Sequence, residues 1–254
     1  MLFTSTSNYF EMDIYRVVFT LLILAYAGYS DIRKRSVSNI VWLVMVGVGI
    51  AFGGYGAIVQ GMSFFIPLIF STAITGAVSY IFFRLRLFGA ADAKALMCIA
   101  LLFPTQAKFA ILSHNFPIFD VSVPVVFPFA LTVLLNAAVL ALAIPISLFF
   151  RNLRSLGLKE FMRNAAVSFV AYRVSINELR SDEFTRLAHT YEERDGYLTR
   201  RYSSGGTPIN SKTVQQLKAY HREGKTAAEV WVTPELPFIL FISLGFLTCC
   251  LLGV

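Results

Sequence analysis

Residues 84–104 read RLRLFGAADAKALMCIALLFP. From Leu87 to Phe103 the run is apolar enough to enter a bilayer, yet Asp92 and Lys94 stand inside it. A carboxylate at the centre of a membrane helix costs roughly 2.5–3.5 kcal/mol on insertion scales, and such acids are functional by default. Lys94 can reach the interface on its long stem, whereas the short Asp92 side chain cannot. Nor do the two pair on a helix, because positions two apart face different sides.

Working outward, the whole chain has the same character. It has 254 residues, 56% hydrophobic and 15% charged, with mean hydropathy +0.65. A soluble domain carries about 25% charged residues, so much of this surface is expected to face lipid. Six stretches have the length of a spanning helix: 14–30, 40–59, 64–83, a fourth from Leu87 to Phe103 or on toward Leu112, 124–150 with a kink at Pro145, and 235–253. Residues 1–13 carry Glu11 and Asp13 and no basic segment, so the first apolar run is expected to stay as a membrane helix.

The net charge of +7 could point to nucleic acid. Its distribution argues otherwise. Arg33, Lys34 and Arg35 follow the first run, Arg84 and Arg86 follow the third, and fourteen Lys and Arg fall within 151–230. The alternate segments hold little beyond Arg16 and Lys108. Basic loops collect in the cytoplasm, which places both termini outside and accounts for the charge without a nucleic-acid partner.

The polar region 151–230 predicts a small α+β domain. Strands are expected over 165–176 and over GYLTRRYSS (196–204), the latter closed by Gly205-Gly206. A basic helix is expected over 211–225, and an extended segment over 228–237. The fold class is therefore an α-helical membrane protein. It has six transmembrane helices and a small α+β cytoplasmic domain between the fifth and sixth: 1–150 membrane domain, 151–230 cytoplasmic domain, 231–254 last helix.

No metal or cofactor is expected. Cys98, Cys249 and Cys250 lie in apolar runs without a CxxC pair, and His114, His189 and His221 are scattered. Neither a P-loop nor a dinucleotide fingerprint is present. Among the acids, Asp13 and Asp120 fall in external segments and nine lie within 151–230. Glu192, Glu193 and Asp195 form the densest acidic group, expected to be a solvated loop. Asp31 and Asp92 stand apart, at the cytoplasmic ends of two helices and at comparable depth. Two carboxylates held close do not readily both ionise. One can then take a proton from water while the other donates to a peptide carbonyl. Before Asp92, Gly89, Ala90 and Ala91 are small enough to let a backbone approach, and Gly89 can adopt conformations closed to other residues. A carrier would place its acids near the midplane, and a scaffold would need no matched pair.

Gly89-Ala90-Ala91-Asp92 resembles the Gly-X-hydrophobic-Asp motif of the intramembrane aspartyl proteases that process type IV pilin-like precursors. The stretch from Asp31 to Asn39 is similar to the partner motif, an acid ending a helix before a basic, extended turn. AEVWVTPELPFIL (228–240) resembles the segment entering the last helix of archaeal preflagellin peptidases. Bacterial relatives have Gly where this chain has Ala91, and many have Pro at the position of Ser38. The resemblance implies Asp31 and Asp92 as catalytic residues. It implies removal of a short basic leader from archaellin or pilin precursors at the cytoplasmic face of the cell membrane, and cleavage without methylation.

Overall fold

The computed structural model describes residues 3–112, 114–119, 127–181, 184–194 and 197–253. Asp120, residues 124–126, Asp195 and Gly196 lie outside them. In chain order the described residues form α1 (Phe3–Lys34), α2 (Asn39–Gln60), α3 (Met62–Arg84), α4 (Ala90–Leu102), β1 (Phe109–Ile111), β2 (His114–Phe116) and α5 (Phe129–Ala141). There follow α6 (Ala143–Arg163), α7 (Ala165–Ser168), β3 (Tyr172–Ser175), β4 (Thr185–Arg194), β5 (Tyr197–Pro208), α8 (Ser211–Arg222), β6 (Glu229–Pro234) and α9 (Phe238–Leu252). The chain divides into two compact units: Met1–Ala141 with Pro237–Val254, and Leu142–Leu236.

Among the described residues four stretches are long and apolar enough to cross a membrane: Met12–Lys34, Asn39–Gln60, Met62–Arg84 and Phe129–Arg163. The other two expected spans are shorter. Helix α4 has 13 residues and α9 has 15. At 1.5 Å per residue they rise about 20 and 23 Å, against a hydrocarbon core of about 30 Å. Helix α4 stops because Phe103 leaves helical geometry just before Pro104, and the chain turns into the β1–β2 hairpin instead of running on to Leu112. The fifth span breaks at Leu142, three residues ahead of the expected kink at Pro145. Proline lacks the N–H that would bond the carbonyl four residues back, so the ladder fails at Ala141 and Pro145 sits in the first turn of α6.

Around an apolar core, the first unit also exposes large apolar side chains that a soluble fold would bury. Ile58 is 85% exposed and Leu22 68%, as lipid-facing residues would be. On α3 the buried positions are Phe64 and then Ser71, Thr75 and Ser79, these three spaced four apart; small residues on an inward face let helices pack closely in lipid. The core joins α1, α2, α4, α5 and α9 around Leu24, Met45, Leu96, Ile99, Phe103 and Phe246. Gly245 lets α9 approach α5 closely, for a Cβ there would lie 2.6 Å from the Val133 carbonyl oxygen.

The second unit holds an antiparallel sheet of order β3-β6-β4-β5. Val230, Trp231 and Val232 are buried in succession, because β6 is covered on both faces: Val230 and Val232 pack with Leu187 and Leu217, Trp231 with Ala171 and Ala188. Three expectations change here. The strand over 165–176 splits into α7 and β3, because Asn152 donates to the carbonyls of both Ser168 and Ala171 at 2.7 Å and holds the turn between them. Gly205-Gly206 does not end β5. Gly206 (φ 64°) lies against a register shift in β4, where a Cβ would meet that of Arg186 at 2.7 Å. Glu192 and Glu193 belong to β4, not to a loop, and Glu193 pairs with Lys225 at 2.7 Å.

Candidate active site

Asp31 lies in the last turns of α1, and Asp92 in the first turn of α4. The connection after α1 is tightly turned. The Arg35 amide donates to the Asp31 carbonyl at 2.9 Å, and the Ser30 hydroxyl donates to the Ser36 carbonyl at 2.8 Å. Ser38 then caps α2 through its hydroxyl, which accepts from the Ile40 amide at 3.4 Å. From α4, Lys94 reaches out to donate to Asn39 Oδ1 at 2.7 Å. That bond ties the start of α4 to the start of α2, beside the end of α1. Asp31 thereby comes within electrostatic reach of Asp92.

The opposite end of α4 is held as firmly. Arg16 is buried, pairs with Asp13, and donates to the carbonyl of Leu102 at 3.0 Å. Asp13 accepts from the Lys108 amide at 3.0 Å. Helices α1 and α4 thus run antiparallel, with both candidate acids at one end and Arg16 at the other. None of Arg16, Asp13 and Asn39 was singled out for a positioning role from sequence. Only the three-dimensional path of α1 past α4 gives them one.

Asp92 is 9% exposed. Its Oδ2 accepts from the Gly89 amide at 2.9 Å, the reach of a helix-capping acid from the third position back to the cap. The sequence carried that signal in the spacing Gly-Ala-Ala-Asp. Asp92 Oδ1 has no hydrogen-bond partner among the described residues. Gly89 has φ −72° and ψ 160°, ordinary extended backbone, so its conformational freedom is not in use. Its missing side chain is, since a Cβ would lie 3.2 Å from Asp92 Oδ2. Gly89 and Ala90 are exposed, and Ala91 is half-buried against the core.

Among the described residues no three His, Cys, Asp or Glu side chains gather where they could hold a metal ion. His189 and His221 lie in the second unit and His114 in the first. The three cysteines are buried thiols.

Comparison with known proteins adds the family. Residues 18–146, which hold both aspartates, match the Type IV leader peptidase family. Residues 163–254 match the Archaeal Peptidase A24 C-terminus Type II. The chain is similar to the Preflagellin peptidase of Methanococcus voltae, 28% identical over 236 residues that cover 92% of this chain and 93% of that protein. It is 25% identical over 232 residues to the Preflagellin peptidase of Methanocaldococcus jannaschii, covering 91% and 90%. Over 127 residues it is 29% identical to the Prepilin peptidase EppA of Methanothermobacter thermautotrophicus, covering 50% and 32%.

Proposed function

The chain belongs to the type IV leader peptidase family, and we propose that it is a membrane aspartic endopeptidase with Asp31 and Asp92 as its catalytic pair. The substrate is an archaellin or type IV pilin-like precursor, cut between a short basic leader and the apolar helix behind it. The observation that carries this is the antiparallel pairing of α1 and α4, which puts Asp31 within electrostatic reach of Asp92 at one end of the bundle. One carboxylate, unprotonated, takes a proton from water. The resulting hydroxide attacks the scissile carbonyl carbon while the other carboxyl protonates the carbonyl oxygen. Collapse of that adduct breaks the C–N bond; the leaving amine takes up the proton gained from water, and the carbonyl oxygen returns its proton to the carboxylate that gave it. Asp92 Oδ2 is engaged by Gly89, which leaves Oδ1 to face the water.

Placement in the membrane belongs to the same proposal. Six crossings, with α4 and α9 as the two short ones, put the acids at the cytoplasmic face and both termini outside. Residues 1–150 then make the membrane domain, 151–230 a cytoplasmic domain and 231–254 the last crossing. Neither metal nor methyl donor takes part.

The test separates catalysis from helix capping. An amide oxygen caps as a carboxylate does, so Asp92→Asn keeps α4 intact. Asp31→Asn and Asp92→Asn are each expected to lower precursor cleavage by about 10²–10⁴-fold or more, scored as a gel shift, with unchanged membrane accumulation and no effect of chelators on the parent enzyme. Full activity in either variant would remove that acid from the catalytic pair, and a parent chain that leaves the precursor uncut would favour a membrane scaffold or carrier.

A further inference from the structure

We propose that the turn between α3 and α4 is a binding site for the phosphate of an anionic membrane lipid. Arg84 closes α3, and the chain then wraps back on the helix end: the amides of Leu85, Arg86 and Leu87 donate to the carbonyls of Ile81, Phe83 and Phe82 at 2.9, 3.0 and 2.9 Å. To make that wrap Arg86 takes φ 58°. A long side chain rarely occupies this left-handed region, which glycine fills without penalty. Arg35 and Leu112 share this conformation, so what distinguishes Arg86 is the neighbouring Arg84 in the same cleft.

The wrap brings Arg84 and Arg86 into one open cleft of about 390 Å³, with Phe83 and Phe88 as its other walls. That volume suits a head group, being at the small end of ligand pockets. Among the described residues neither guanidinium has a hydrogen-bond or ion-pair partner. Two exposed arginines lining one cleft favour an anion there, and the planar guanidinium fork matches phosphate oxygens. Free phosphate and a lipid head group share that chemistry. The flanking residues favour the lipid: Leu85 and Leu87 are 63% and 65% exposed beside the arginines, at the end of a helix long enough to cross a bilayer. Arginines then meet the phosphate while the leucines enter the acyl layer. Basic residues at a membrane surface are drawn to anionic lipid.

The site rests on the membrane placement proposed above and not on the peptidase chemistry.

The experiment reads lipid retention, not cleavage. The full chain is held in nanodiscs of equal phosphatidylcholine and phosphatidylglycerol, released, and its retained lipids identified by native mass spectrometry. Several-fold enrichment of phosphatidylglycerol is expected, falling to parity in Arg84→Gln/Arg86→Gln and persisting in the charge-matched control Lys212→Gln/Arg222→Gln. Arg86→Gly guards against a folding artefact: it should melt no lower than the parent, because glycine accepts φ 58°, yet lose most of the enrichment. Millimolar inorganic phosphate should not displace the lipid. Equal retention of the two lipids by the parent, or enrichment surviving in the double Gln variant, would overturn the site. Displacement by inorganic phosphate would make it a free-anion site and overturn the lipid assignment.

Discussion

A methyl group added at Gly89 would lie 3.2 Å from Asp92 Oδ2, closer than most side-chain carbons tolerate. The side chain can yield only by rotating the carboxylate away from the Gly89 amide. Gly89→Ala is therefore expected to cost on the order of ten- to a hundred-fold in cleavage, because small misplacements of a catalytic group are expensive. Thermal stability should change little, since φ −72° suits alanine. At Ala91, Gly is expected to stay active, but bulk tests two things at once because the side chain is half-buried. Ala90 is the cleaner probe of close backbone approach, being exposed. Ala90→Phe should accumulate in membranes and lose cleavage. A fully active Ala90→Phe enzyme would show that no substrate backbone passes this turn. The glycine was legible in the sequence as part of a motif. Its reason was not, because only coordinates put Oδ2 beside the absent Cβ.

At the scale of the element, α4 is a short helix fastened at both ends, by Lys94 to Asn39 and by Arg16 to Leu102. Arg16 also lies over the rings of Phe52 and Phe103 at 5.9 and 5.4 Å. Its removal leaves the buried Asp13 with the Lys108 amide but no arginine, and takes the Arg16 donor from the Leu102 carbonyl. Arg16→Met is expected to destabilise the protein by about 3–5 kcal/mol, the usual cost of an orphaned buried charge. Asp13→Leu/Arg16→Met should recover much of that loss. Thermal unfolding in detergent of the two variants and the parent checks both statements; equal melting of Arg16→Met and parent would deny the clamp. In the sequence Arg16 stands out only as a rare charge in an external segment, since Leu102, the carbonyl it clamps, is 86 positions away along the chain.

For the whole molecule, the proposed placement is open to a direct test. A reporter within 205–225 is expected in the cytoplasm and one at 114–120 outside, because basic loops are retained. Cysteine labelling of the opposite sense would remove the common face from the two acids. The second unit carries its own pH dependence. His189 is buried against Tyr202 with no partner for Nδ1 among the described residues. Burial, helped by the Arg200 charge, holds its imidazole below the ordinary value of 6.5. Below that pH the unfolded chain takes up a proton that the folded chain resists, so stability should fall as pH drops through 6.5 and be flat above it. His189→Phe keeps the ring and removes the titration. A melting temperature of the parent that stays level from pH 8 to pH 5 would contradict the burial.

Residue order alone carries the membrane class, the charge asymmetry, helices α2, α3 and α8, the extended β6 and the pair of acids, because hydropathy, charge and turn chemistry are local properties of a run of side chains. The tertiary structure decided the rest. Where α4 stops, that β4 exists under an unpatterned run of buried residues, and that β6 is covered on both faces depend on partners distant in the chain. So does the juxtaposition of α1 and α4. The sequence could name Asp31 and Asp92 separately, but sixty-one positions of chain separate them. Helix packing brings their ends of α1 and α4 to one side, and the Lys94–Asn39 and Arg16–Leu102 bonds form only once the helices have packed.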